Sequence, residues 1–184
     1  MSFIWSEENV QMDGELYDES RKTYRYCLRG KGQNPLVVLG LNPSTADNKI
    51  PDPTMRRVVG FAESNGFDSF LMINLYPLRT PSSKILKEKG FDEEIHKINL
   101  GKIDSYLSEI KNPTILLAFG SKISEIEFLK KCLSDIFELY KKYNPKWTCL
   151  KETKEGHPCH PLYLKSDLKL KPFDVAGYIE KLKF

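Results

Sequence analysis

The hexapeptide Gly40-Leu41-Asn42-Pro43-Ser44-Thr45 puts an amide and two hydroxyls directly after the apolar run Leu36-Val37-Val38-Leu39. Four apolar residues, two of them β-branched, read as a buried strand. Glycine and an Asn-Pro pair then break it. In an open α/β sheet the carboxyl end of a strand is where ligands are held; the plainer reading is an ordinary βα turn. The Asn42 amide can orient a water through its carbonyl oxygen but cannot take up a proton as a carboxylate would. Ser44 and Thr45 can donate to a phosphate or close the turn on themselves. Arg56 and Arg57 fall in the first turn of an expected helix, where the helix dipole disfavours cations. Asp47, Asp52 or a bound phosphate would compensate them, or both are simply solvated. Arg79, after Tyr76-Pro77-Leu78, can reach the same edge. Asp47 and Asp52 are also a candidate pair for a hard cation.

The elements that must position these groups follow from periodicity. Tyr24, Tyr26 and Leu28 alternate with Arg25, Cys27 and Arg29, which predicts a half-buried strand over 22–29 pairing with a segment near Glu15–Tyr17. Strands are expected at 36–41, 69–75, 114–119 and 146–150, and helices at 53–65, 92–110, 124–142 and 173–182. Asp52-Pro53 reads as an N-cap with proline at the first helical position. Strands alternating with helices imply βαβ units and a largely parallel sheet. The expected architecture is three-layer α/β/α: a central four-stranded sheet over 34–184, with an N-terminal β-hairpin in 1–33, in one domain. Parallel strands would bring Asn42, Asn74, the Gly120-Ser121 turn and the loop bearing His157 and His160 to one edge of the sheet.

Composition narrows the partners little. The 184 residues carry 28 basic and 25 acidic side chains, a net charge of +3, so nucleic-acid binding would need a local basic face. The lysine runs 84–89, 130–131, 141–142 and 165–171 are interleaved with apolar or acidic residues and read as solvated faces. Cys27, Cys132, Cys149 and Cys159 are dispersed without a CxxC, which suits a reducing cytosol. The N-terminal residues show neither a basic n-region nor an apolar h-region, so neither a signal peptide nor a membrane span is expected, and the expected location is cytoplasmic. Cys149, His157, Cys159 and His160 are zinc-competent by type, but Cys-x7-His-x-Cys-His matches no standard zinc pattern. No cofactor or metal is expected.

Four segments in this order, Gly40-Leu41-Asn42-Pro43, Met72-Ile73-Asn74-Leu75, Leu116-Leu117-Ala118-Phe119-Gly120-Ser121 and His160-Pro161-Leu162, resemble the site-forming motifs of the uracil-DNA glycosylase superfamily. More closely, the chain resembles the domain of unknown function 1643 family, through Leu41–Asp47, Asp52-Pro53-Thr54, Asn74–Arg79 and His160–Leu164. The superfamily resemblance implies that Asn42 positions a water, Asn74 reads the hydrogen-bonding edge of a base, and His160 stabilises the departing base. Gly40, Pro43, Ser44, Thr45, Tyr76, Gly120 and Ser121 would complete the pocket, with Arg56, Arg57 and Arg79 towards phosphate. His160 aligns because Leu162 follows its proline, and His157 is the alternative. Asparagine stands at 42 where many members carry aspartate, and the loop after it lacks an aromatic for stacking. The N-terminal CxxC that an iron–sulfur cluster needs in some branches is absent.

Three functions remain open on this reading. One is a nucleobase-, nucleotide- or nucleic-acid-binding domain, with DNA or a nucleotide as partner, that hydrolyses the N-glycosidic bond of a modified base. Another is a non-catalytic module using the same pocket. The third is a metal-dependent phosphoester-processing enzyme using Asp47 and Asp52.

Overall fold

A computed structural model describes residues 3–14 and 23–182. Strand β3 (Pro35–Gly40) is buried along its whole length, the mark of a strand covered on both faces. Leu36 and Val38 face one apolar cluster, and Val37 and Leu39 the other. Parallel to β3 run β4 (Ser69–Asn74) on one side and β5 (Thr114–Leu117) on the other, with β6 (Lys146–Cys149) beyond β5.

Helix α1 (Pro53–Ser64) links β3 to β4 and packs Met55, Val58, Phe61 and Ala62 on the face of Leu36 and Val38. It begins where the Asp52 carboxylate accepts the Met55 N–H at 2.8 Å, and Pro53 needs no partner there. The opposite face carries α3 (Glu93–Leu107), α4 (Glu127–Tyr140) and α5 (Val175–Leu182), which bury Ile103, Leu107, Leu129, Leu133, Ile136 and Ile179 among others. Full burial of such side chains is worth about 1.5–3 kcal/mol each, so the sheet is held from both sides. A short α2 (Ser83–Lys89) precedes α3.

The sheet is wider than four strands and a separate hairpin. Strand β1 (Val10–Asp13) pairs antiparallel with β2 (Cys27–Gly30), β2 pairs antiparallel with β4, and β7 (Lys171–Pro172) closes the far edge against β6. The order is β1-β2-β4-β3-β5-β6-β7, so the hairpin extends the central sheet. The pairing segment expected near Glu15–Tyr17 lies outside the described residues; β2 pairs with Val10–Asp13 instead. The expected half-exposed alternation over 22–29 also gives way. Arg25, Tyr26, Cys27 and Leu28 are all buried, because β4 and the 43–52 loop cover this segment: Arg25 N donates to Pro77 O, and its guanidinium to Ala46 O. Helix ends move by a few residues, as at 92–110, where α3 ends at Leu107, and at 124–142, where flanking 3-10 turns account for part of the apolar period.

Candidate functional site

The chain leaves β3 towards β4 on one side and later returns to β5 on the other. The carboxyl ends of β3 and β5 therefore diverge, and an open α/β sheet has its crevice at such a reversal. A cleft of about 480 Å³ lies there, walled by Gly40, Leu41, Asn42 and Ser44 after β3, and by Ala118, Phe119, Gly120 and Ser121 after β5. Thr80 and Pro81 come from the segment after β4, and His160, Leu162 and Tyr163 from the last loop. The volume suits a small organic ligand.

The Asn42 side chain is oriented by three carbonyl oxygens around its amide nitrogen: Thr80 at 2.8 Å, Pro43 at 3.0 Å and Leu78 at 3.3 Å. That surrounding assigns the nitrogen end of the amide and leaves Oδ1 as the acceptor for a ligand or water. Arg79 donates to Ser44 O at 2.9 Å, Thr45 O at 2.7 Å and Ala46 O at 3.3 Å. Its guanidinium therefore braces the loop backbone. Thr80 N donates to Pro43 O, tying the exits of β3 and β4 together.

Asn74 sits at the last position of β4, in register with Gly40. It is 1% exposed, and neither Nδ2 nor Oδ1 has a partner. Gly40 makes room for it: a Cβ there would lie 2.7 Å from Asn74 Oδ1 and 2.5 Å from Met72 Cε. The Asn74 carbonyl accepts from Asn99 Nδ2 at 3.1 Å, so α3 holds the strand end; Asn74 itself does not line the cleft, and its amide lies next to Gly40 and Met72, which do.

His160 opens a 3-10 turn (Pro161–Tyr163), its Nδ1 accepting the Leu162 N–H at 3.3 Å. Nδ1 is thus unprotonated in the neutral ring, and Nε2 carries the hydrogen. Burial pushes the His160 pKa below its ordinary value, against a smaller upward pull from Asp52. At neutral pH the ring is an uncharged donor. Gly120, at φ +71°, lets the chain turn beside it, with room for a Cβ only 3.4 Å from His160 Cβ.

Other expected residues lie elsewhere. Tyr76 is buried on the far face, its hydroxyl accepting the Asp92 N–H among Phe91 and Phe128. His157 lines a separate cavity of about 520 Å³ and bonds the Tyr178 hydroxyl at 2.7 Å. Arg57 donates to Leu164 O and lies over the Phe61 ring, so it staples the last loop to α1. Arg56 and Thr45 are exposed and Pro43 is buried, and none of the three lines the cleft. Asp47 accepts from Lys49 N and Ile50 N, which lowers its pKa. Asp52 is committed to Met55 N and Ala46 N. Among the described residues no three His, Cys, Asp or Glu side chains converge as a metal centre would need, and the four cysteines are free.

The cleft also holds residues that the sequence reading did not single out for the site, among them Thr54, Thr80, Ser83, Arg25, Lys122 and Tyr163. Arg25 lines the cleft at 3% exposure, although its alternation pointed to solvent. Lys122 stands at the rim, paired with Glu125 at 2.9 Å. Tyr163 is 90% exposed on the lip. An arginine among alternating aromatics was the one available signal for Arg25.

The fold and site define an α/β protein with a cleft at the carboxyl edge of a mixed sheet. A family model described as "Protein of unknown function (DUF1643)" matches residues 25–162, three quarters of the chain, and the chain belongs to that family. The match spans every cleft-lining residue but Tyr163. No curated protein and no solved structure matches it. No helix among the described residues is long and apolar enough to cross a membrane.

Proposed function

We propose that the cleft binds a nucleobase, alone or within a nucleotide or nucleic acid, with the base edge on Asn74. The observation that carries this reading is the Asn74 amide, buried with both polar ends unpartnered. An orphaned buried donor or acceptor costs about 1–3 kcal/mol, and a base edge offering one acceptor and one donor would satisfy both ends. The resemblance of four strand-end segments to uracil-DNA glycosylase motifs supports the same assignment: Gly40, Asn42, Gly120, Ser121 and His160 line one cleft. Tyr163 on the lip offers a face on which a neighbouring base could stack.

In the hydrolytic form, the C–N bond breaks with its electron pair going to the base. His160 Nε2–H donates to an oxygen of that base, a water held by Asn42 Oδ1 adds to the sugar carbon, and the proton that water loses is taken up by the departed base anion. A donor aimed at developing charge is the larger contribution in such a step. A non-catalytic form of the same site has a specific observation in its favour. Among the described residues Asp52 is the one carboxylate lining the cleft, and both its oxygens already accept backbone N–H groups. His160 presents its protonated nitrogen, so no free general base faces the water.

Calorimetric titration with free bases and nucleosides tests the binding, and abasic-site formation on oligonucleotides carrying deaminated or alkylated bases tests the chemistry. Base binding that Asn74→Ala weakens, with strand turnover that His160→Ala abolishes, fits the hydrolytic form. Binding without turnover fits the second. Failure of every base and nucleoside to bind removes the Asn74 assignment.

A further inference from the structure

Among the described residues lining the cleft, Arg25 is the one buried charged side chain, and the reading of Asn74 gives it no role. Among the described residues its guanidinium has one hydrogen-bond partner, Ala46 O at 2.5 Å, its Nε is buried without one, and no carboxylate lies within 4.0 Å of it. Asp52 pulls the guanidinium's pKa upward, but its carboxylate is committed to the N-cap of α1 and to Ala46 N. Arg79, the other guanidinium under this loop, adds repulsion. An ionised group taken from water without a counter-charge is among the costliest arrangements in a protein interior. Burial first, then Arg79, pulls Arg25 down to about 10, so it stays charged at neutral pH. Ser44 and Thr54 line the cleft on the same loop–helix junction as Ala46 and Asp52.

We propose that Arg25 is the anion subsite of this cleft, and that the ligand read by Asn74 is a nucleotide whose phosphate meets the buried guanidinium. The proposal rests on the nucleobase reading of Asn74. Arginine offers planar paired donors that match phosphate oxygens. A charge-assisted contact of this kind is worth about 10- to 100-fold in affinity. At 3% exposure the guanidinium is reached from inside the cleft, which favours a phosphate monoester arriving with its base over a strand backbone crossing the rim.

The test compares the common nucleosides, their 5′-monophosphates, dinucleoside monophosphates and inorganic phosphate by calorimetry on the full chain. The expected result is a monophosphate binding about 10- to 100-fold tighter than its nucleoside, with inorganic phosphate competing against the nucleotide and not the nucleoside. Arg25→Gln should erase the difference and Arg25→Lys should keep part of it. Dinucleoside monophosphates binding as tightly as mononucleotides would keep the subsite and name a strand phosphate as its source. A nucleoside and its monophosphate binding equally overturns the subsite while the Asn74 reading stands. Arg25-dependent binding of inorganic phosphate with no nucleoside binding keeps the subsite and removes the nucleobase. No binding by any of the four probes overturns both. The competition needs no variant, so it decides the matter even if Arg25→Gln fails to fold.

Discussion

Replacing Asn74 by leucine should make the protein more stable and unable to bind its ligand. The amide is 1% exposed with neither polar atom partnered, and each such atom costs about 1–3 kcal/mol of desolvation. Leucine keeps the same branched skeleton without donors or acceptors, and replacing an unsatisfied group by an apolar one is neutral to stabilising. Its greater bulk meets the Gly40 wall, where the flexible end of Met72 can give way, so some gain is lost to repacking. The net expectation is a rise of about 1–3 kcal/mol. In a chain of this size that is about 2–4 °C in Tm per kcal/mol. Urea unfolding should show a higher midpoint with an unchanged m-value, while titration with the best-binding nucleoside gives no heat. A loss of 1 kcal/mol or more in Asn74→Leu would refute the reasoning, because it would mean that the amide is satisfied in the free protein.

Other substitutions probe the surrounding geometry. Asn42→Asp should destabilise by about 1–3 kcal/mol and leave turnover no higher, since a carboxylate beside Thr80 O, Pro43 O and Leu78 O replaces donors with acceptors; a faster enzyme from this change would contradict the bracing role. Gly40→Ala should weaken base binding about tenfold by pushing the Asn74 amide aside, at a stability cost of about 1–3 kcal/mol; unaltered affinity would show that the amide does not read the ligand. His96 Nε2 donates to Asp135 at 2.9 Å, beside Lys131, while its buried Nδ1 has no hydrogen-bond partner. Burial holds its pKa below the ordinary value, against the upward pull of Asp135, so the unfolded chain binds the proton first. Its contribution to stability is complete above about pH 6.5 and is lost as pH falls through the lower folded value. Urea midpoints at pH 7.5 and 5.5 should differ less in His96→Gln than in the parent protein.

The parallel core was legible because its strands are covered on both faces and so read as unbroken apolar runs, as in Leu36–Leu39 and Phe70–Ile73. Asn-Pro and Gly-Ser punctuation marked their ends. The outer strands were not legible: β1 and β7 are four and two residues long, too short for a period. Position 25 misled for a different reason, since alternation reports one covering layer and cannot see a loop folding over the other. The cleft residues that follow strand ends, Asn42, Gly120 and His160, were readable from topology. Tyr76 was not: two residues beyond Asn74, it would share that face in a continued strand, but β4 ends at Asn74, the chain turns, and Tyr76 packs into the α3–α4 layer. For the arginines, charge is legible in the sequence, but the backbone carbonyls to which Arg57 and Arg79 donate are not.

The knot of bonds at the mouth has a kinetic meaning. Asn42 reaches across to Leu78 and Thr80, Thr80 N returns to Pro43 O, and Arg79 grips three successive carbonyls from Ser44 to Ala46. Two strand exits and the loop over them are joined as one body before any ligand arrives. Entry then requires no ordering of these walls, so association should be a single concentration-dependent phase without a slow step behind it. Differences between ligands would fall on how long each one stays.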